Sequence, residues 1–140
     1  MSLITSLSRT SEKRDSKVNI FVSVVNKIYF WLIKITGFTM KYFIIEIIYT
    51  VPLEEIEKTT LEHRTFLRTL YDKNLILLSG PKVPRVGGIV IARAESVEYA
   101  ENLFKDDPYK KKGLAEYRFI EFKPLNHQEF VKDWIELEKN

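Results

Sequence analysis

From Met40 onward, proline and glycine cut the chain into short pieces, and that punctuation limits what it can fold into. Tyr42 to Tyr49 (YFIIEIIY) is rich in aromatic and β-branched residues and reads as a strand that Pro52 ends. Leu53 to Tyr71 has apolar residues at Leu53, Ile56, Leu67 and Leu70, a helical period, with acids clustered near its start. Asn74 closes that helix. Leu75 to Leu78 is a short strand stopped by Gly80-Pro81, the loop Lys82 to Val86 follows, and Gly88 to Ala94 is a third strand. Ser96 reads as the N-cap of a helix holding Val97, Ala100, Leu103 and Phe104. Asp107-Pro108 has the form of a cap followed by proline at the first helical position, and Gly113 ends that turn. Ala115 to Phe122 is the fourth strand, with Pro124 after it. Asn126 and Glu129 have capping-box spacing for a C-terminal helix carrying Phe130, Val131, Trp134 and Leu137.

The order is β-α-β-β-α-β with one extra helix. It predicts an α+β, ferredoxin-like domain over residues 40–124, an antiparallel sheet with two helices on one face, followed by a C-terminal helix within 125–140. The first strand adds a second constraint. Phe43, Ile45, Ile47 and Tyr49 share one face, and Tyr42, Ile44 and Ile48 share the other, broken only by Glu46. Two helices cover one side of such a sheet, so the other side needs its own cover. The same face of a second copy supplies one, giving a homodimer through sheet faces. The alternative is cover from within the chain, by the C-terminal helix or by residues 20–35.

Residues 1–39 read as a separate N-terminal extension. Arg9, Lys13, Arg14, Lys17, Lys27 and Lys34 oppose only Glu12 and Asp15, a net +4 that leaves the remaining residues at −1 of the chain's +3. The domain is thus nearly neutral, and nucleic acid is not an expected partner. Residues 2–17 lack apolar periodicity and read as disordered. Ile20, Val24, Ile28, Trp31, Leu32 and Ile35 then fall on one helical face. Three readings of the extension stand: sequence upstream of a true start at Met40, a native amphipathic arm, or an interfacial membrane helix. No membrane contact is expected of residues 40–140, and the uncharged runs of the extension are too short to span a bilayer.

The chain has no cysteine and only two histidines, His63 and His127. This removes thiolate chemistry and cysteine-ligated metals, and argues against a histidine-rich metal site, although carboxylates alone suffice for a hard cation. No cofactor or metal is expected, since no phosphate loop, dinucleotide fingerprint or nucleophile elbow is present. The absence of cysteine fits a reducing compartment, and a cytoplasmic location is the expectation. His63 falls on the stripe Ile56, Thr60, His63, Leu67, Leu70 and so faces the sheet. Its plain reading is a core histidine satisfied by a backbone carbonyl; its functional one is an acid–base group held by a nearby carboxylate. Asp107 is either an ordinary N-cap or that carboxylate. Tyr109 offers a phenolic hydroxyl or simple packing. Lys82 and Arg85, in the loop bracketed by Gly80-Pro81 and Gly87-Gly88, are candidates to close over an anionic ligand.

Taken in order, His63 with Leu67 and Leu70, then Asn74-Leu75-Ile76-Leu77-Leu78-Ser79-Gly80-Pro81, then Gly87-Gly88, then Asp107-Pro108-Tyr109 and Gly113-Leu114, this series resembles the YCII-related family over about residues 40–124. The resemblance implies a dimeric α/β barrel built from ferredoxin-like domains. It also implies a catalytic pair at His63 and Asp107, with Ser79, Gly80, Arg64 and Tyr109 expected to contact an unknown small-molecule substrate. A few relatives are lyases acting on ring compounds. For this chain that implies proton transfer of lyase or isomerase type, with a non-catalytic ligand-binding or structural dimerisation module as the alternative.

Overall fold

The computed structural model describes residues 16–28, 31–32, 35–37 and 39–136. Residues 39–135 form one unit; residues 1–38 and 136–140 form the other. In the second of these, 16–28, 31–32 and 35–36 are helical. Ser16 and Lys17, expected to be disordered, belong to that helix; the rest of the segment expected to be disordered lies outside the described residues. None of the described helices is long and apolar enough to cross a membrane.

The 39–135 unit is a ferredoxin-like α+β fold. Strands β1 (Lys41–Tyr49), β2 (Ile76–Pro81), β3 (Gly87–Ala94) and β4 (Ala115–Phe122) form one antiparallel sheet in the order β2-β3-β1-β4. The central strand β1 pairs with β3 and β4 on its two sides, so Ile45 faces Val90 on one and Phe119 on the other. Helices α1 (Leu53–Glu57), α2 (Thr60–Asp72), α3 (Val97–Phe104) and α4 (Pro108–Lys111) fill the two crossovers. Phe43, Ile45 and Ile47 pack in one core with Ile56, Leu67, Leu70, Ala100 and Phe104 from the helices. Each fully buried Ile, Leu or Phe of this core contributes about 1.5–3 kcal/mol.

The expected first helix is two. The Thr59 amide bonds back to the Ile56 carbonyl at 3.0 Å, and the Thr59 carbonyl then accepts from His63 N at 3.0 Å, so a new helix starts there. Two consecutive β-branched threonines, Thr59 and Thr60, are poor material for continuing a helix. Asn74, at φ 58°, turns the chain out of α2. Gly80-Pro81 does not stop β2; Gly80 pairs with Ile89 and Pro81 with Gly88. Proline is tolerated there because β2 is an edge strand and Pro81 is its last residue. The C-terminal helix is also shorter than expected. A 3₁₀ turn at Glu129–Val131 leads into α5 (Lys132–Ile135), and the cap is Gln128 without a side-chain bond, so Asn126 and Glu129 make no capping box. Leu137 lies outside the described residues.

The second face of the sheet carries Ile44, Ile48, Ile89 and Ile91, all half-buried, with Leu78, Ile120 and Phe122 exposed. A charged cluster interrupts it. Lys82 Nζ donates to Glu46 at 2.6 Å, and Arg118 lies 3.8 Å from the same carboxylate. The Lys82 hydrogen bond holds the Glu46 carboxyl below its ordinary value. One corner of this face is covered from within the chain. Trp134 is buried there, its ring 5.5 Å from that of Tyr42 and 5.1 Å from the Arg93 guanidinium, which donates to the Trp134 carbonyl at 2.7 Å.

Candidate functional site

The site is a cleft of about 380 Å³ between α2 and the sheet, on the side of the edge strand β2. Its floor is open because Gly88 sits opposite Ile47 in the β1–β3 register; a Cβ at Gly88 would lie 3.8 Å from Ile47 Cδ1 and 3.3 Å from the Gly80 carbonyl. His63 reaches the cleft from the buried stripe of α2, beside Leu67 and Leu70.

Asp107 stands behind His63 and is fully buried. Its place follows from local chemistry. It is the N-cap of α4, with Pro108 at the first helical position and its Oδ1 accepting from Tyr109 N at 3.1 Å. The same carboxylate accepts from His63 Nδ1 at 2.8 Å and 2.9 Å on its two oxygens, and from the Tyr117 hydroxyl at 2.6 Å on Oδ2. Burial and the adjacent carboxylate push the Tyr117 phenol far above its usual range, so it stays a donor.

With a carboxylate at Nδ1, the neutral imidazole holds its hydrogen at Nδ1 and its lone pair at Nε2. Nε2 makes no hydrogen bond within the described residues. His63 itself lines the cleft. Tyr109 lies flat on the imidazole, with ring centroids 4.1 Å apart and planes 12° from parallel. Its hydroxyl pairs with Thr60 Oγ1 at 2.9 Å, and burial raises its pKa.

The expected catalytic pair and substrate contacts come together. His63, Arg64, Ser79, Gly80 and Tyr109 line the cleft, with Asp107 directly behind. Ser79 Oγ is tied to the Tyr71 hydroxyl at 2.7 Å. Of the two loop cations, Arg85 lines the cleft, whereas Lys82 turns to the opposite face and pairs with Glu46. The physical reason is the hairpin register, which places Lys82 N on the Gly87 carbonyl at 2.9 Å and its side chain beside Glu46. The residue that sequence reasoning missed is Tyr117. Its signal was present: Tyr117 alternates with Ala115 and Phe119 on the inner face of β4, and a buried tyrosine hydroxyl needs a polar partner.

Fold and cleft together define a small ferredoxin-like α+β protein with a buried histidine–carboxylate pair at a ligand-sized opening. The chain belongs to the YCII-related domain family, whose model matches residues 40–123. A structure of 5-chloro-2-hydroxyhydroquinone dehydrochlorinase (TftG) from Burkholderia phenoliruptrix AC1100, in complex with 2,5-dihydroxybenzoquinone, is similar with a TM-score of 0.51 and 22% identity, over 64% of this chain and 97% of that one. That likeness establishes the fold. No curated protein matches the sequence.

Proposed function

We propose that this protein is a small-molecule enzyme in which His63 moves a proton at the substrate and Asp107 orients its imidazole, giving lyase or isomerase chemistry. The observation that carries the reading is the polarity of the pair: Nδ1 is committed to a buried carboxylate, while Nε2 faces a cleft large enough for a ring compound. Arg64, Ser79, Gly80 and Tyr109 are the proposed substrate contacts. The similar dehydrochlorinase supports a hydroxylated ring as substrate, with loss of a group next to an acidic position as one outcome. The cysteine-free composition supports a cytoplasmic setting.

The test is chloride release from chlorinated hydroxyhydroquinones by the full chain. Replacing His63 with Gln should lower turnover by about 10²–10⁴-fold, the usual worth of a positioned acid–base group, with the circular dichroism spectrum unchanged. Turnover by His63→Gln at the unmodified rate would remove His63 from the mechanism. Binding of 2,5-dihydroxybenzoquinone without any turnover by the unmodified chain would favour a ligand-holding module instead.

The proposed assembly is a homodimer through the open sheet face. Leu78, Ile120 and Phe122 remain exposed on it and leave apolar surface to cover. Light scattering at micromolar concentration should give twice the chain mass, and Ile120→Lys should reduce it to one. A monomer before any substitution would sink the proposed dimer.

A further inference from the structure

We infer that the cleft selects an oxyanion, such as a carboxylate or an ionised ring hydroxyl, and that Arg85 and Arg64 hold it. This rests on the proposed proton-transfer reading and names its substrate class. The charges facing the cleft are lopsided. Two guanidiniums line it, and no aspartate or glutamate does. Asp107, the acid nearest the imidazole, is fully buried and turned to His63, Tyr109 and Tyr117. The domain around the cleft is close to neutral overall, so this positive lining is local rather than a reflection of composition.

The two arginines are not equivalent. Arg85 is held. Its Nη1 donates to Glu57 at 3.3 Å and its Nη2 to Thr60 Oγ1 at 3.4 Å, while Thr60 contacts the Tyr109 hydroxyl at 2.9 Å. Tyr109 in turn stacks on His63. Arg85 is thus linked to the imidazole through two side chains, which sets a fixed cation on the same wall as the base. Glu57 is more than half exposed, so its pairing with Arg85 is screened and leaves the guanidinium available to a ligand. Arg64 follows His63 directly on α2, is exposed, and has no ion pair among the described residues. It is positioned to swing onto a bound anion from the other rim.

The chemistry gives this arrangement a purpose. When a base removes a proton beside a carbonyl, negative charge develops on oxygen, and a cation placed beforehand stabilises it. A guanidinium also binds an oxyanion through paired N–H donors, which fixes a planar ligand in one orientation. A neutral ligand of the same shape gains neither effect.

Benzoate and benzamide are suitable probes, since they share ring and shape and differ in charge. Titrations of the full chain followed by backbone amide NMR should show benzoate binding about tenfold or more tightly than benzamide, the worth of one charge-assisted hydrogen bond. Shifts should centre on residues 60–64 and 79–88. Arg85→Gln should abolish most of the preference, and Arg85→Lys should retain part of it. His63→Gln should keep the preference whatever it does to turnover, so failure of the anion site and failure of the catalytic reading are separable. Equal binding of the two probes, no benzoate binding at tens of millimolar, or a full preference in the Arg64→Gln/Arg85→Gln double variant would overturn the inference.

Discussion

Gly87→Ala should be among the most damaging single substitutions in the domain, lowering stability by about 3 kcal/mol or more. Gly87 opens β3, opposite Ile48 of the central strand. A Cβ built there would lie 2.0 Å from the Ile47 carbonyl oxygen and 3.1 Å from its carbon. Both are backbone atoms of the central strand β1, which is paired on both sides, so no side chain can rotate to make room. Either β1 and β3 separate at this point, or the hairpin unpairs. Unpairing would release the Gly87 carbonyl from Lys82 N and disturb the 3.1 Å bond from Tyr49 N to the Val86 carbonyl. For a domain of this size the melting temperature should fall by about 10–20 °C in a thermal scan. Gly80→Ala is the control, because a Cβ there meets nothing within 4 Å. A variant Gly87→Ala that melts with the unmodified chain would mean that the strands have slack at this contact.

Asp107→Ala should have a comparable effect, about 3–5 kcal/mol, as expected when one partner of a buried polar pair is removed. Three donors lose their acceptor together: the Tyr109 amide, the Tyr117 hydroxyl and His63 Nδ1. They come from α4, β4 and α2, so the loss loosens the junction where the two crossovers meet. Tyr117→Phe removes one of these donors and leaves the carboxylate with the other two, so it should lower stability by only about 1 kcal/mol. Chemical denaturation of both variants checks the ordering. A milder effect for Asp107→Ala than for Tyr117→Phe would show that the carboxylate is not the hub of this cluster.

Where the sequence was legible, a local rule decided the outcome. β1 followed from an aromatic and β-branched run before Pro52, β3 and β4 from segments set off by Gly87-Gly88, Gly113 and Pro124, and Ser96 and Asp107 from cap chemistry that acts within four residues. Inner and outer positions of β1 followed from the period of two. The misses are sites where a distant partner overrode the local signal. Gly80-Pro81 reads as a stop, yet pairing with Ile89 and Gly88 carries β2 through it. Asn126 and Glu129 have the spacing of a capping box, yet the segment turns so that Trp134 can pack on Tyr42 and Arg93. Lys82 looked like a partner of Arg85, yet two residues of hairpin separate the faces they serve. In the site, the helical stripe put His63 toward the sheet and the cap put Asp107 at the start of α4, but their contact spans 44 residues of sequence and needed the fold. Alternation along β4 put Tyr117 on the inner face, but the carboxylate its hydroxyl meets lies ten residues away and needed the fold.

The lone pair at Nε2 has a stereochemical corollary. Every side chain lining the cleft other than His63 is apolar, a hydroxyl, a phenol or a guanidinium, and none of these accepts a proton near neutral pH. The Asp107 oxygens are occupied by three donors and are shut off from the ligand. The proposed reaction therefore has a single base on a single wall. When His63 itself returns the proton it took, it does so from that wall, so a shift of hydrogen within a bound ring carried by His63 alone would be suprafacial. It would return part of the original isotope instead of exchanging it completely with water.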